Sequence, residues 1–533
     1  MTTTSELLRQ GRMEEVWKKY CGFIDLNLHE FMEIQRRLLK EQIDLLAKCE
    51  IGRGFLGEPV PRTLEEFRAQ VPLTTYSDYA AFAEKREDEG LPVKPRWWLR
   101  TSGRSGEYGG YKWVPYTARM AKRLGESVMC LFIMASCGER GYISFAEGDR
   151  MLFTMAPFPY MSGGVARAVL EEFPFQFLPP LEQAESMDYP ERIAEGLRLA
   201  LIGGVDHINA IAVVLVRIAE QFSEGASNGG SRAMMRDPRI MLRGLRGMIR
   251  ARLAGRKHLL PKDLWTVKGV ATGGTDTTIF REQMQELWGH EPIETYGCTE
   301  AGLFACQLWN GKGMTLVPDV DLLEFMPFDE HLKCRSDPDY VPRTLLADEL
   351  EVGVVYEPVV TNYLGGIYTR YRVGDLVRVI SMRDDELGVE LPQIVFHSKA
   401  GDMIDIASFA RLTELTLWQA LENTGLKYAD WTARKEQAEG KPVLALYVEP
   451  KSDDLDESTV KERFHQALMQ LDQPYADLEE MLGIDPLRVK VLERGAFGRY
   501  YQQKVVQGAD LAHLKPPHMN SGDDELELLM RPS

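Results

Sequence analysis

No apolar run in this chain approaches the ~20 residues that a spanning helix needs. Stretches such as VMCLFIMA (128–135) and AIAVVLV (210–216) are far shorter, which excludes helices that cross a bilayer. The first fifteen residues, MTTTSELLRQGRMEE, have no apolar core and no cleavage-site pattern, so no secretion signal is expected. Cysteine is sparse and scattered: seven residues, no CxxC pair and no disulfide framework. Buried or free thiols in a reducing cytosol are the expectation. The nine histidines show neither HExxH nor His-x-His spacing, so no structural zinc is expected. Basic excess is missing too. Lys and Arg number 63 against 80 Asp and Glu, a net charge of −17, which argues against a general nucleic-acid binder. No GxxxxGK[ST] stretch occurs, which excludes the usual phosphate loop of NTPases.

What the chain does have is bulk. At 533 residues it exceeds one ordinary core, and two or three domains are expected. Hydrophobic residues make up 44% and charged residues 27%, the balance of a folded globular protein. Residues 5–49 carry apolar positions at three- and four-residue spacing and read as helical. A short helix then breaks at Pro72, and another starts near Ser77. Between 125 and 220, apolar segments alternate with Gly- and Pro-rich turns, the pattern of strands and crossover helices in an α/β domain. From 350 to 400 the texture changes to short β segments. After about 400 comes a separate α/β unit with strands at VLALYVE and LRVKVLE and a helix between them. The expected division is 1–400, a hinge at 401–410, a domain at 411–518, and an acidic, mobile tail at 519–533.

One segment is distinguished by charge. In 232–257, Arg236, Arg239, Arg243, Arg246 and Arg250 recur at three- and four-residue steps, with Met, Leu and Ile between them. The stripe reads as the solvated face of an amphipathic helix, or as a surface for an acidic partner or anionic lipid.

The chemistry concentrates in three stretches. LRTSGRSGEYGGYKW (99–113) offers the hydroxyls of Thr101, Ser102 and Ser105 and the backbone amides of Gly103, Gly106, Gly109 and Gly110. Glycines let successive amides turn toward an anion, and Lys112 and Arg104 add positive charge. ETYGCTEAG (294–302) sets Tyr296 beside a tight turn, where it can lie against an adenine face, followed by Thr299 and Glu300, which can reach phosphate and Mg²⁺. YTRYRVGDLVRV (368–379) delivers Asp375 from a strand end through a glycine, where one carboxylate can take both hydroxyls of a ribose. Each alone has an ordinary reading: a surface turn, a surface acid, a hairpin residue. Their order and separation carry the argument.

These three stretches resemble the ATP-binding motifs of the auxin-responsive Gretchen Hagen family of acyl acid–amido synthetases, within the adenylate-forming superfamily. FRAQVPLTTYSDYAAF, VGVVYEPVVTNYLGGIYTRYRVGDLVRV and GAFGRYYQQKVVQGADLAHLKPP are similar to further family segments, and the resemblance runs from about residue 40 to 518. It implies a large N-terminal α/β domain with a β-barrel-like subdomain and a small mobile C-terminal α/β domain. It also implies a two-step reaction. A carboxylate attacks the α-phosphorus of Mg-ATP to give an acyl-adenylate and pyrophosphate; an amine, usually an amino acid, then attacks the acyl carbonyl and releases AMP.

The resemblance assigns roles in turn. Thr101, Ser102, Gly103 and Ser105, with Lys112, would cradle the β- and γ-phosphates. Thr272, Gly273 and Gly274 of VATGGTD would line the nucleotide pocket. Tyr296 would flank adenine, Thr299 would touch the α-phosphate and Glu300 would hold Mg²⁺. Asp375, with Arg372 in the same motif, would bind the ribose side. Lys399 stands at the hinge where relatives commonly have an arginine; it keeps the charge and loses the planar fork. Lys504, in a Gln-x-Lys-Val pattern, would bridge the substrate carboxylate and α-phosphate; Lys515 is the competing lysine. Arg104 and the extra residues before Lys112 depart from the family's Ser-Ser-Gly-Thr-Ser loop. The acyl pocket is expected near 155–169 and Leu303-Phe304. A carboxylate–CoA ligase sharing the first step, and a non-catalytic relative that only binds an acyl ligand, are the alternatives.

Overall fold

The structure is a computed structural model that describes residues 2–104, 111–187, 189–225, 237–273, 277–337, 339–400, 403–407, 409–451, 455–506 and 518–531. The chain divides into two compact units, one built from Met1–Ser102 and Gly110–Ser398, the other from Lys399 onward.

In the first unit, strands β1 (Trp97–Arg104) and β2 (Tyr111–Tyr116) form a separate two-stranded sheet. A twelve-stranded mixed sheet is the frame. Its strands are β3 (Arg150–Phe153), β4 (Gln176–Leu178), β5 (His207–Ala210), β6 (Gly269–Thr272), β7 (Ile293–Cys298), β8 (Gly302–Gln307), β9 (Met314–Leu316), β10 (Asp321–Pro327), β11 (Val355–Asn362), β12 (Tyr371–Arg372), β13 (Asp375–Ser381) and β14 (Gln393–Lys399). Strands β4, β3, β5, β6 and β7 run parallel in that spatial order, joined by helical crossovers as the alternating pattern between 125 and 220 requires. From β7 onward the pairing turns antiparallel, through β8 and β9 to β14. Beyond β14 lie β13, β11 and β10. The GIYTR segment before β12 is loop rather than strand.

Two helices hold the frame to the site. The helix Ala118–Ser136, capped by the Thr117 hydroxyl accepting from Met120 N, is buried on nearly every side. It is the apolar run VMCLFIMA, all-round hydrophobic because it is core. The helix Leu28–Leu46 has a capping box between Asn27 and Glu30 and buries Phe31, Met32, Leu38, Leu39, Ile43 and Leu46. Its two buried amides act as clamps on loops. Gln35 donates to Pro318 O and Asp321 O at 2.6 Å and accepts from Leu323 N. Gln42 donates to Gly366 O at 2.7 Å and accepts from Gly365 N. The second clamp fixes the chain just before β12, where the site begins.

In the second unit, β15 (Met403–Ile406) pairs antiparallel with β16 (Ala410–Thr413). The sheet of β17 (Tyr428–Ala438), β18 (Lys441–Pro450) and β19 (Leu487–Val491) has its first pair antiparallel and its second parallel. The segment 401–410, expected as a hinge, therefore carries one strand and the start of another, with Ile404, Ile406 and Ala410 buried. The boundary between units falls one step earlier, at Ser398 and Lys399. The tail also differs from expectation. Asp523–Met530 is a helix whose Leu526 and Leu529 pack with Tyr447, Leu492, Phe497 and Tyr500. Acidic residues fill its first turn, where the helix dipole favours them, and two leucines three apart were enough to anchor it.

The arginine stripe lies on the helix Pro238–Leu253, with Arg236 outside the described residues. Arg239, Arg246 and Arg250 are exposed, as the solvated-face reading expects, but they are not the helix's only exposed side chains. The exposed side chains include Met241, Leu242, Leu245, Met248, Ile249 and Leu253, while Arg243 is half-buried.

Candidate active site

The β7–β8 hairpin is tight for a steric reason. A Cβ at Gly297 would lie 1.9 Å from Gly302 O, so only glycine lets the two strands close at this register shift. Gly302 takes φ +83° to complete the turn. Between these glycines sit Cys298, Thr299, Glu300 and Ala301, and the hairpin holds them in the body of the unit rather than at its surface. Thr299 and Glu300 are both buried. Tyr116 of β2 donates to Thr299 O at 2.9 Å. Asn362 donates to Glu300 O at 2.9 Å.

The Glu300 carboxylate is the centre of a compact polar group. Its Oε1 accepts from Lys112 Nζ at 2.7 Å and from Tyr371 OH at 2.7 Å, while Lys112 Nζ also lies 2.8 Å from Tyr371 OH. Burial pushes the carboxyl's pKa up, but the Lys112 ammonium and the hydroxyl of Tyr371 outweigh it. The net direction is below the ordinary carboxylate value, so Glu300 is an anion at neutral pH. Tyr371 moves the opposite way, upward through burial and the adjacent Glu300 charge, and stays a proton donor. Lys112 is placed by β-pairing. Its backbone N–H donates to Thr101 Oγ1 at 3.1 Å, which ties the two ends of the glycine-rich loop together.

Four residues before Glu300, the Tyr296 hydroxyl donates to Asp375 Oδ2 at 3.1 Å. Tyr296 packs edge-on against Phe304 at 5.0 Å between ring centres. Asp375 opens β13 directly after Gly374, whose φ of +77° turns the chain and whose missing side chain leaves open space beside it. The hydroxyl of Thr272, at the carboxyl end of β6, is buried and has no hydrogen-bond partner among the described residues. The same is true of Thr154, just past the end of β3. Phe153 pairs with Asn209 across β3 and β5, and Ala210 pairs with Thr272 across β5 and β6. The two orphan hydroxyls therefore lie at one level, at the carboxyl edge of the parallel strands. That edge is where open α/β sheets take ligands, and an unpartnered buried hydroxyl is a group waiting for a partner.

Of the residues singled out from sequence, Thr101, Lys112 and Glu300 are thus linked by contacts, as are Tyr296 and Asp375, and Thr299 sits beside Glu300 in the hairpin. Thr272 and Gly273 sit at the strand edge. Arg372 is not brought to the Glu300 group. It follows Tyr371 on the same strand and so faces the other way, where its guanidinium grips the buried Glu357 at 2.7 Å and lies 3.1 Å from His331 Nδ1. Lys399 ends β14 at the start of the second unit. Lys504 lies on the helix Ala496–Val506 of that unit. The side chains of Ser102 and Lys504 and the residues Ser105, Gly274 and Lys515 lie outside the described residues, and Gly103 contributes only its backbone to β1. Sequence reasoning did not single out Tyr371, Asn362 or Tyr116. Tyr371 had a signal, four residues before Asp375 in the same motif; the other two are distant in sequence and act through main-chain carbonyls.

Among the described residues no cluster of three or more His, Cys, Asp or Glu stands ready to hold a metal. One ionised carboxylate fits Mg²⁺ only as a partial ligand, which is how that ion commonly binds when substrate phosphates supply the rest.

Three domain descriptions of one family match the chain: the GH3 family N-terminal domain over residues 22–225, the central domain over 314–399 and the C-terminal domain over 414–522. A 4-substituted benzoates-glutamate ligase, GH3.12 of Arabidopsis thaliana, is 28% identical over 233 residues, which is 40% of this chain and 38% of that protein. The jasmonoyl–L-amino acid synthetase GH3.5 of Oryza sativa subsp. japonica is 23% identical over 50% of this chain and 47% of its own length. These matches span less than half of each relative. Among solved structures, the AtGH3.15 acyl acid amido synthetase in complex with 2,4-DB superposes with a TM-score of 0.52 at 19% identity, covering 98% of this chain and 95% of the other. A 2-hydroxyisobutyryl-CoA ligase, in complex with 2-HIB-AMP and CoA, superposes at 0.51 with 14% identity, covering 92% and 88%. Both likenesses concern the fold.

Proposed function

The chain belongs to the GH3 family, and from that premise we propose that it activates a carboxylic acid with ATP and passes the acyl group to an amine, an amino acid by preference, to form an amide. The observation that carries this reading is the buried Lys112–Glu300–Tyr371 group, built by the hairpin that also holds Tyr296 against Asp375. Two anions, a carboxylate and a triphosphate, must meet for adenylation, and fixed cations and donors must absorb the charge that gathers on phosphate oxygens.

In this reading Lys112 and the Thr101 end of the glycine-rich loop face the phosphates. Glu300 would hold Mg²⁺ together with them, and the ion would screen charge on the α-phosphate. Tyr371 keeps Glu300 oriented and ionised. Thr299 lies beside Glu300 for the α-phosphate, Asp375 takes the ribose hydroxyls, and the Tyr296 hydroxyl fixes that carboxylate while its ring borders the base. The buried hydroxyl of Thr272, without a partner among the described residues, is the nearby donor for the nucleotide. Lys504, from the second unit, is assigned the ammonium that joins the acid's carboxylate to the α-phosphate. In the second step the amine nitrogen bonds to the acyl carbon, the C–O bond to AMP breaks, and one proton leaves the nitrogen.

The decisive measurement is ATP–pyrophosphate exchange across a panel of apolar and aromatic carboxylic acids, followed by mass analysis of products with pooled amino acids. Exchange that depends on one acid class, with an amide formed in the absence of CoA, supports the proposal. A thioester formed only with CoA, or no exchange from well-folded protein with any acid, overturns it.

A further inference from the structure

The helix Pro238–Leu253 exposes an apolar face beside its exposed arginines. Counted at 100° per residue, the body-facing positions are Ile240, Gly247 and Ala251, of which Gly247 and Ala251 are buried. A Cβ at Gly247 would meet Leu259 at 2.8 Å, so the helix sits tight on its neighbours. The opposite, outward face is Met241, Leu242, Leu245, Met248, Ile249 and Leu253, with Leu245 at 52% and Leu253 at 84% exposure. Singly exposed apolar side chains are ordinary; six on one face of one helix mark a contact surface.

Arg239, Arg243, Arg246 and Arg250 run along the seam between that face and the body, where they line a cavity of about 430 Å³ with Arg150. A side chain added at Gly204 would meet Arg243 Nη1 at 3.5 Å and Arg150 Nη1 at 3.8 Å, so two guanidinium groups converge on one point. Among the described residues the guanidinium groups of Arg150 and Arg243 donate only to carbonyls, of Gly203 and Ala200. The cavity's two acids are engaged: Asp206 accepts from Arg150 N, and Asp263 pairs with Arg256 at 2.6 Å. Arg150, Arg243, Arg246 and Arg250 have no ion pair among the described residues. Residues 239–257 hold seven cations and no acid, within a chain of net charge −17.

We propose that this face docks on an anionic phospholipid surface, with the six apolar side chains entering the boundary between headgroups and acyl chains and the seam arginines taking lipid phosphates. An apolar face flanked by Arg is the composition of an interfacial helix. A second copy of the chain would bring the same unpaired cations to the same seam and be repelled. The chain's net charge of −17 opposes non-specific attraction to such a surface, so docking depends on this local cluster of cations.

The test is flotation of the full chain with vesicles of phosphatidylcholine alone and of phosphatidylcholine mixed with phosphatidylglycerol, at low and physiological salt. Binding to the anionic vesicles only, weakened by salt, is expected. Arg246→Gln with Arg250→Gln should weaken it roughly thirtyfold, at about fivefold per cation. Leu245→Glu with Ile249→Glu should abolish it. All four positions are exposed, and thermal melts matching wild type establish that the variants fold. Equal binding to both vesicle types, binding to neither, or concentration-dependent self-association that Leu245→Glu with Ile249→Glu removes in the absence of lipid would each overturn the proposal. So would retained vesicle binding in the presence of excess inorganic phosphate by the arginine double variant.

Discussion

Lys112 Nζ lies 2.7 Å from Glu300 Oε1 and joins two segments 188 residues apart in sequence. Both side chains are largely withdrawn from water, at 13% and 5% exposure. A buried pair of this kind costs most when one partner is removed, because the other charge is left uncompensated. Lys112→Met should therefore destabilise the first unit by ~3–5 kcal/mol at neutral pH, measured by urea denaturation. Glu300→Gln strands the Lys112 ammonium in the same way and should cost a comparable amount at neutral pH, although its amide oxygen still accepts from Tyr371; it should also lower the adenylation rate by roughly a hundredfold or more. If Lys112→Met proves as stable as wild type, the ion pair does not hold the hairpin.

The sign with pH follows from the depressed carboxyl. Stability supplied by ionised Glu300 is fully present above the ordinary carboxylate value and is lost as pH falls through its lower folded value. Wild type should begin to lose this contribution only below pH 4.5, the ordinary carboxylate value. The difference between wild type and Glu300→Gln should shrink over the same interval in melts run below pH 4.5.

The Tyr296–Asp375 contact separates binding from chemistry. Asp375→Ala should raise the KM for ATP strongly, and Tyr296→Phe, which loses one hydrogen bond at 3.1 Å, should raise it by about fivefold. Steady-state kinetics with the best acid from the exchange panel provides the check. Unchanged ATP kinetics in Asp375→Ala would remove that residue from the ribose site.

Much of this was legible in the chain itself. The parallel strands, their crossovers and the three motif stretches follow from periodicity and glycine placement, because strand alternation and tight turns leave local marks. Other features left none. Nothing near Glu300 in sequence announces that Lys112 and Tyr371 will meet on one oxygen, since contact across 188 residues is a product of sheet order. Arg372 turns away from the Lys112–Glu300–Tyr371 group for a simple reason: neighbours on a strand face opposite ways, and Tyr371 points to that group. The helix Pro238–Leu253 shows the limit of periodicity. Its pattern defines two faces but not which one meets the body, and small residues, Gly247 and Ala251, decided that.

Thr272 offers a cleaner probe of the nucleotide pocket than any charged residue. Its hydroxyl is buried with no partner among the described residues, so Thr272→Val removes no hydrogen bond seen there and relieves an unsatisfied group. Melting temperature should hold steady or rise. If the hydroxyl serves the nucleotide, the KM for ATP should rise by about fivefold, the value of one hydrogen bond. A variant unchanged in both readouts would place the nucleotide elsewhere.

His518 tests the second unit independently of catalysis. Its ring stacks on Trp431 with centroids 4.7 Å apart, while Nδ1 lies 2.7 Å from Glu414 and Nε2 lies 2.8 Å from Asp430. Burial works to lower its pKa, but the two carboxylates prevail and raise it above the ordinary histidine value. A raised histidine contributes stability that is fully present below its unfolded pKa near 6.5 and is lost as pH rises through the folded value. The transition of the second unit in the whole chain should thus shift down between pH 6.5 and alkaline conditions, a shift absent in His518→Gln. The same residue precedes the helix Asp523–Met530 and its buried Leu526 and Leu529, so the loss should be felt there first, as faster amide exchange over 523–530. Amide exchange in this segment that is independent of pH after correction for the intrinsic rate would show that the two carboxylates do not hold the imidazolium.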